Sequence, residues 1–234
     1  FTGVDKPIKT IMVTSAGASE GKSTITANLA IVMAQAGMRV VLLDADLRRP
    51  TVHKTFSRPN RNGLTDLLLQ GSAGWSGAVQ ETPIRNLFLI SSGQLPPNPS
   101  EILASQKMRQ LLEHFSKSSD VVIIDTPPVL AVTDATVLAP HVDAVLLVVD
   151  TGATRIGAVA QVKTQLEQVG VKLMGVVMNK VSVGRGNGYY YYNYYYYNAE
   201  SADAGGKKKG FRWPWERRRP HHTPESENAA ASPQ

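Results

Sequence analysis

"TIMVTSAGASEGKSTITANLA", residues 10–30, decides the fold. Residues 10–15 are an apolar run of strand type, and from Lys22 onward the residue types and apolar spacing become those of a helix. Between them Ala16, Gly21, Lys22 and Ser23 fit the phosphate-binding pattern, with alanine in place of its opening glycine. That chemistry needs small residues so that backbone N–H groups can wrap a phosphate. It also needs a lysine to reach the β and γ oxygens, a hydroxyl for Mg²⁺, and a helix N-terminus behind them. A glycine turn capping an ordinary helix would give a similar short pattern. The order strand, loop, helix selects the phosphate site.

The same alternation of apolar runs and helical segments continues along the chain. Strands are expected at "RVVLLDAD" (39–46), "LFLISS" (87–92), "DVVIIDTP" (120–127), "AVLLVVD" (144–150) and "KLMGVVMNK" (172–180). Helices are expected at 22–35, 64–69, 100–117, 133–138 and 156–169, with Gly37 and Gly170 as C-terminal stops. The pattern predicts an α/β fold: a mainly parallel central sheet with flanking helices and P-loop ATPase architecture. Residues 53–85 say little, and His53, without metal-ligand company, reads as structural.

Bulk properties narrow the function classes. The 234 residues suit one domain plus a tail, and 42% hydrophobic content suffices for a core. No apolar run approaches a membrane span. The chain has no cysteine, which excludes a disulfide framework and thiolate metal sites. It opens at Phe1 without a methionine, so a piece of a longer protein is expected. The formal charge of +6 equals the surplus of "KKKGFRWPWERRR" (207–219) alone, so the globular part gives no reason to invoke nucleic acid.

Three acids strengthen the nucleotide reading. Asp44 and Asp46 close the second expected strand and Asp125 the strand at 120–127. The carboxyl ends of parallel strands share one edge, which carries the ligand crevice. Each acid alone reads as a strand-end turn former; three beside a phosphate loop read as a Mg²⁺ and phosphate site for ATP.

At this point the chain resembles a known family, the bacterial tyrosine kinases of capsule and exopolysaccharide systems. The resemblance spans residues 1 to about 198 and rests on "SEGKST" (19–24), "LLDADLRRP" (42–50), "LPPNPSEIL" (95–103), "VVIIDTPPV" (121–129) and a tyrosine-rich tail. It implies a P-loop kinase domain over 1–183 and a flexible tail over 184–234. The implied activity is ATP-dependent tyrosine phosphorylation of that tail, mainly between neighbouring subunits of a homo-oligomeric ring. Carried over by motif, Ala18, Ser19, Glu20 and Gly21 cradle phosphate, Lys22 binds the β and γ phosphates, and Ser23 or Thr24 helps to bind them and Mg²⁺. Asp44 is the expected base, Asp46 its alternate or a Mg²⁺ partner, and Asp125 holds the metal's water shell. Asn179 either contacts adenine or is a strand-end turn former. Arg48 and Arg49 either orient phosphate or pair with a neighbouring subunit. The resemblance further implies a transmembrane activator module, fused or separate, other protein-tyrosine substrates, and a location at the inner face of the bacterial plasma membrane.

All eight tyrosines lie in one patch: Tyr189, Tyr190, Tyr191, Tyr192, Tyr194, Tyr195, Tyr196 and Tyr197. By composition alone the patch would be an aggregating edge or a disordered tail. Beside an ATP site it reads as a set of phosphoacceptors. A parallel sheet puts the end of its last strand, at Lys180, on the nucleotide edge, and the nine residues from there to Tyr189 reach roughly 30 Å. The segment 207–219, with Phe211, Trp213 and Trp215 among cations, is either a solvated charge run or a contact for anionic lipid.

Two other classes compete. A ParA/MinD-like partitioning or positioning ATPase switch would transfer phosphate only to water, but it carries a signature lysine where this chain has Gly17. A catalytically dead interaction module is disfavoured by the intact set Lys22, Asp44, Asp46 and Asp125.

Overall fold

The structure is a computed structural model that describes residues 7–70, 77–171 and 173–182. The expected tyrosine patch, the rest of the tail from 184, the basic segment 207–219 and the first six residues lie outside the described residues. Seven strands are present: β1 (Thr10–Ser15), β2 (Val40–Asp44), β3 (Val79–Glu81), β4 (Leu87–Ile90), β5 (Val121–Asp125), β6 (Ala144–Asp150) and β7 (Leu173–Asn179). They form one sheet in the order β3-β4-β2-β5-β1-β6-β7. Every pairing is parallel except β3 with β4. β1, the strand read first, lies between β5 and β6 with all six residues buried.

Burial on both faces explains the near-continuous apolar runs of β1, β2 and β5. Alternate residues supply the two cores. Val13, Leu42 and Ile123 face α1 (Lys22–Gln35) and α2 (Val52–Thr55). Met12, Leu43 and Ile124 face the helices of the other layer, α3 (Leu64–Gln70), α5 (Gln106–Ser118), α6 (Asp134–Leu138) and α7 (Ile156–Gln168). On α1 the buried side of the helix is Ala27, Ala30 and Ala34, small residues that bring its axis close to the sheet. The ends of α1 and α7 fall where glycine was expected to stop them, at Gly37 with φ 94° and Gly170 with φ 77°.

Three departures from the sequence reading have local causes. The helix expected at 100–117 is two helices, α4 (Pro99–Leu103) and α5. Ser105 breaks it: its backbone is extended (φ −69°, ψ 154°), and its hydroxyl accepts a hydrogen bond from the Met108 N–H at 3.2 Å. Serine that can cap its own downstream turn competes with helix propagation. The uninterpreted stretch contains α2 and β3, both too short to show a period. The turn into β4 places Asn86 at φ 66°, the left-handed region asparagine tolerates. Asp46 lies two residues beyond the end of β2, where Ala45 N–H still donates to the Asp125 carbonyl at 2.8 Å.

Gly63 sets how closely α3 approaches the end of β4. A methyl group there would be driven into the Ser91 carbonyl and the Gly93 amide, both backbone, whereas Gly157 on α7 has open space. Gly63→Ala is therefore expected to lower stability by about 1–3 kcal/mol, and Gly157→Ala not to lower it, as read by denaturant melts.

Candidate active site

The loop from Ala16 to Gly21 turns through two left-handed residues, Ser19 at φ 63° and Gly21 at φ 91°. Gly21 has a second reason to lack a side chain: a Cβ would collide with the Asn179 amide. That amide donates to the Glu20 carbonyl at 2.9 Å. Next to it, Lys180 Nζ donates to the Ser19 carbonyl at 2.7 Å and pairs with Asp150 Oδ2 at 2.8 Å. The end of the last strand thus clasps the loop, as the parallel topology requires. Glu20 anchors it from inside: its carboxylate accepts from Ala16 N–H at 3.0 Å and from the Thr154 hydroxyl at 2.6 Å. No side chain caps the first turn of α1, which leaves its N–H groups facing the loop without a side-chain acceptor.

At the mouth of this loop the expected residues meet. Lys22 Nζ lies 2.8 Å from Asp46 Oδ2 and 3.4 Å from Asp125 Oδ2. The Ser23 hydroxyl donates to Asp125 Oδ2 at 2.6 Å, and Thr26 donates to its other oxygen at 3.2 Å. Asp44 stands in register with Asp125 on the adjoining strand, and both are 0% exposed. Its oxygens accept from the Val52 N–H at 3.1 Å and the Asp46 N–H at 3.3 Å. Three acids therefore face one ammonium.

The electrostatics follow from that imbalance. Burial, then the Asp125 charge, pushes the Asp44 carboxyl up to about 8 against the opposing Val52 hydrogen bond. Burial also raises Asp125, opposed by Lys22 and the Ser23 hydroxyl. For Lys22, burial pulls downward, but Asp125, Asp46 and Asp44 outweigh it, and its net shift is upward. The lysine stays cationic. Such a surplus of buried acid, with a hydroxyl and a phosphate loop beside it, fits a divalent cation arriving with phosphate. Among the described residues no three acid or histidine side chains form a ready-made metal cage. Mg²⁺ suits such a site because it keeps several waters and takes phosphate oxygens as ligands.

Other residues fall differently from expectation. Arg48 is engaged within the chain: its Nε and one terminal nitrogen each lie 2.9 Å from the carboxylate of Asp134. Asp134 is 0% exposed and also accepts from the Ser100 hydroxyl at 2.6 Å. This ties "DLRRP" to "PPNPSE", 86 positions from Arg48 to Asp134, and nothing in the spacing of the sequence pointed to it. The sequence reading placed Lys180 on the nucleotide edge without giving it a contact to the loop, and it did not single out Asp150 or Thr154. The pair "NK" at 179–180, closing the last strand, was the available signal. Thr24 is exposed and makes no hydrogen bond to the acids among the described residues. The Gly17 position holds no lysine, and its carbonyl accepts from the Ser15 hydroxyl at 2.7 Å.

Residues 8–177 match the family model described as an AAA domain. The chain is 44% identical over 189 residues to "Tyrosine-protein kinase YwqD" of Bacillus subtilis (strain 168), covering 81% of this chain and 79% of that one. The kinase domain of Escherichia coli tyrosine kinase ETK superposes with a TM-score of 0.73 at 38% identity, over 76% of this chain and 70% of that one. The septum site-determining protein MinD of Pyrococcus horikoshii, solved with Mg-ADP, shares the fold at TM-score 0.62 and 20% identity, over 76% and 72% of the two chains.

The raised Asp44 carboxyl makes the nucleotide-free protein sensitive to pH. The folded chain keeps a proton that the unfolded chain releases near 3.8, so this contribution to stability is complete below that value and is lost as pH rises through about 8. Thermal melts without nucleotide should show the loss, and Asp44→Asn should flatten it, leaving the part that belongs to Asp125.

Proposed function

The chain belongs to the bacterial tyrosine-protein kinases, and from that membership we propose that it transfers the γ-phosphate of ATP to its own tyrosine cluster, residues 189–197, between subunits of a ring. Enzymes of this family phosphorylate tyrosine; the acceptor, the residues and the setting are this proposal's own. One observation carries it. The residue pair that roots the tyrosine-bearing segment, Asn179 and Lys180, is bonded to the same loop that presents Lys22 to Asp46 and Asp125.

In this reading the loop amides, Lys22 and the first turn of α1 hold the phosphates, and Ser23 and Asp125 would hold the metal through its oxygen and water shell. Bound Mg²⁺ would supply charge neutralisation on the transferring phosphoryl group. Lys22, drawn to phosphate, releases its bond to Asp46 Oδ2. The base role then passes from Asp44 to Asp46, its alternate. Both Asp44 oxygens are occupied by backbone N–H groups and burial raises its carboxyl, whereas Asp46 opens on the cavity beside the loop. A tyrosine hydroxyl, with an ordinary pKa near 10, needs such a partner. Its oxygen forms the new bond to the γ phosphorus, the bridging bond to ADP breaks, and the phenolic proton goes to the carboxylate. Asn179 is assigned to the adenine side of the loop.

The wider setting follows the family. We assign the protein to capsule or exopolysaccharide synthesis at the inner face of the membrane, with a transmembrane activator, fused or separate. No helix among the described residues is long and apolar enough to cross a bilayer. The segment 207–219 is the candidate for contact with anionic lipid.

Incubation with γ-labelled ATP and Mg²⁺ is expected to place label on tyrosines 189–197, located by mass spectrometry. Lys22→Met should lower incorporation by about 100-fold or more. Label released only as free phosphate would favour the ATPase-switch reading instead.

A further inference from the structure

The turn after β2 carries Asp46 past the end of the sheet, and two of its own amides orient that carboxylate. Arg49 N–H donates to Asp46 Oδ1 at 3.0 Å and Arg48 N–H at 3.4 Å, while Oδ2 takes Lys22. Once Lys22 is drawn to phosphate, those two amides are the bonds that still aim the acid. The backbone at Arg48 is held in its turn by the Arg48 side chain, whose Nε and one terminal nitrogen meet Asp134 at 2.9 Å each. Asp134 is fully buried, whereas the Arg48 side chain is 41% exposed. The acid is the fixed partner, and the arginine is what it holds.

Asp134 also belongs to the frame of the phosphate loop. The stretch 126–133 that delivers it is bonded to the end of β1: Val129 N–H donates to the Ser15 carbonyl and the Thr14 hydroxyl to the Pro127 carbonyl, each at 2.9 Å. Ser100, near the start of α4, donates to Asp134 at 2.6 Å and lies 3.1 Å from the Thr133 hydroxyl. Stability alone does not account for this arrangement, because well-packed apolar side chains fasten two loops about as well as a buried ion pair does. What they lack is direction. A planar guanidinium on a carboxylate fixes an angle as well as a distance.

We infer that Asp134 is a positioning residue for tyrosine phosphorylation: through Arg48 it ties the turn bearing Asp46 to the phosphate-loop frame and keeps that carboxylate aimed during transfer. The inference rests on the kinase reading with Asp46 as base, and adds to it the side chains that hold the base in place. Its effect lies in the transfer step and not in nucleotide binding. A displacement of about 1 Å at a reacting group can cost on the order of 100-fold in rate.

The test follows tyrosine labelling of the full chain by γ-labelled ATP, with a fluorescent ADP analogue reporting nucleotide affinity in the same preparations. Asp134→Asn and Arg48→Met are each expected to lower the labelling rate at saturating ATP by about 10-fold or more, with ATP KM and analogue affinity changing less than about 2-fold. Arg48→Met, at a partly exposed position, decides the matter if the buried substitution prevents folding. Arg48→Lys keeps the charge without the planar fork and should not restore the rate. The double variant should fall no lower than the worse single one. Asp134→Asn added to Asp46→Asn should cost nothing further, since both act through one carboxylate. The inference is overturned if Arg48→Met labels at the wild-type rate, if Arg48→Lys serves as well as arginine, or if analogue affinity falls in step with the rate. It is overturned equally if the losses from Asp134→Asn and Asp46→Asn multiply. A wild-type chain that binds the analogue and labels no tyrosine fails in a different way: it overturns the kinase reading, and the positioning role with it.

Discussion

Two aspartates side by side, fully buried, with one lysine against them, are the constraint on which the molecule is built. Asp44 and Asp125 are direct neighbours across β2 and β5, a register that like charges oppose. The apolar strands leading into them, "VVLL" and "VVII", leave no alternative, because a slip by one residue would turn every side chain to the wrong layer. The fold settles the conflict locally. Burial raises both carboxyls, Asp44 accepts from the Val52 and Asp46 N–H groups, and Asp125 is shared by Lys22, Ser23 and Thr26. An arriving cation with its phosphates completes what the protein leaves unbalanced, so the resting site is already shaped by the charge it lacks.

The loop above those acids is held from the β6–β7 flank of the sheet. Glu20 reaches to Thr154 after β6, and Asn179 and Lys180 reach back from β7. Ser19 and Lys180 are two of four non-glycine residues with positive φ among those described, and they are bonded to one another. Two left-handed turns at an ordinary residue cost energy and persist only where neighbours hold them. Here each is held by the other, and the exit of the sheet and the phosphate loop form one mechanical piece. On the other flank, Arg48 and Asp134 fix the turn that carries Asp46 to α6, and through Ser100 to α4.

Much of this was legible in the sequence. Strands buried on two faces are continuous apolar runs, and a phosphate loop needs a narrow set of residues in order, so β1, α1 and the strand-end acids could be placed without coordinates. The ends of those strands gave the edge on which Asp44, Asp46, Asp125 and Asn179 gather. What escaped was either too short to show a period, like α2 and β3, or depended on a choice between two local options, like Ser105 capping a new turn rather than continuing α4. The Arg48–Asp134 pair escaped for another reason. Charge partners 86 positions apart are joined by topology alone, and no spacing rule reaches that far. The setting of Asp44 escaped on similar grounds: its residue type suited a base, and only the topology shows it fully buried with both oxygens accepting from backbone N–H groups.

The strand order has a bearing on how the protein is made. β1 sits between β5 and β6, so no strand synthesised near it in time is its neighbour. During translation the phosphate loop emerges early, yet Asp125 follows Lys22 by 103 positions. Until β5 and β6 have left the ribosome, the middle of the future sheet has two unpaired edges, and such long-range pairings form slowly. A nascent chain interrupted before that point has a phosphate loop without Asp125 beside it to hold a metal, and a bare apolar strand that any passing edge can join.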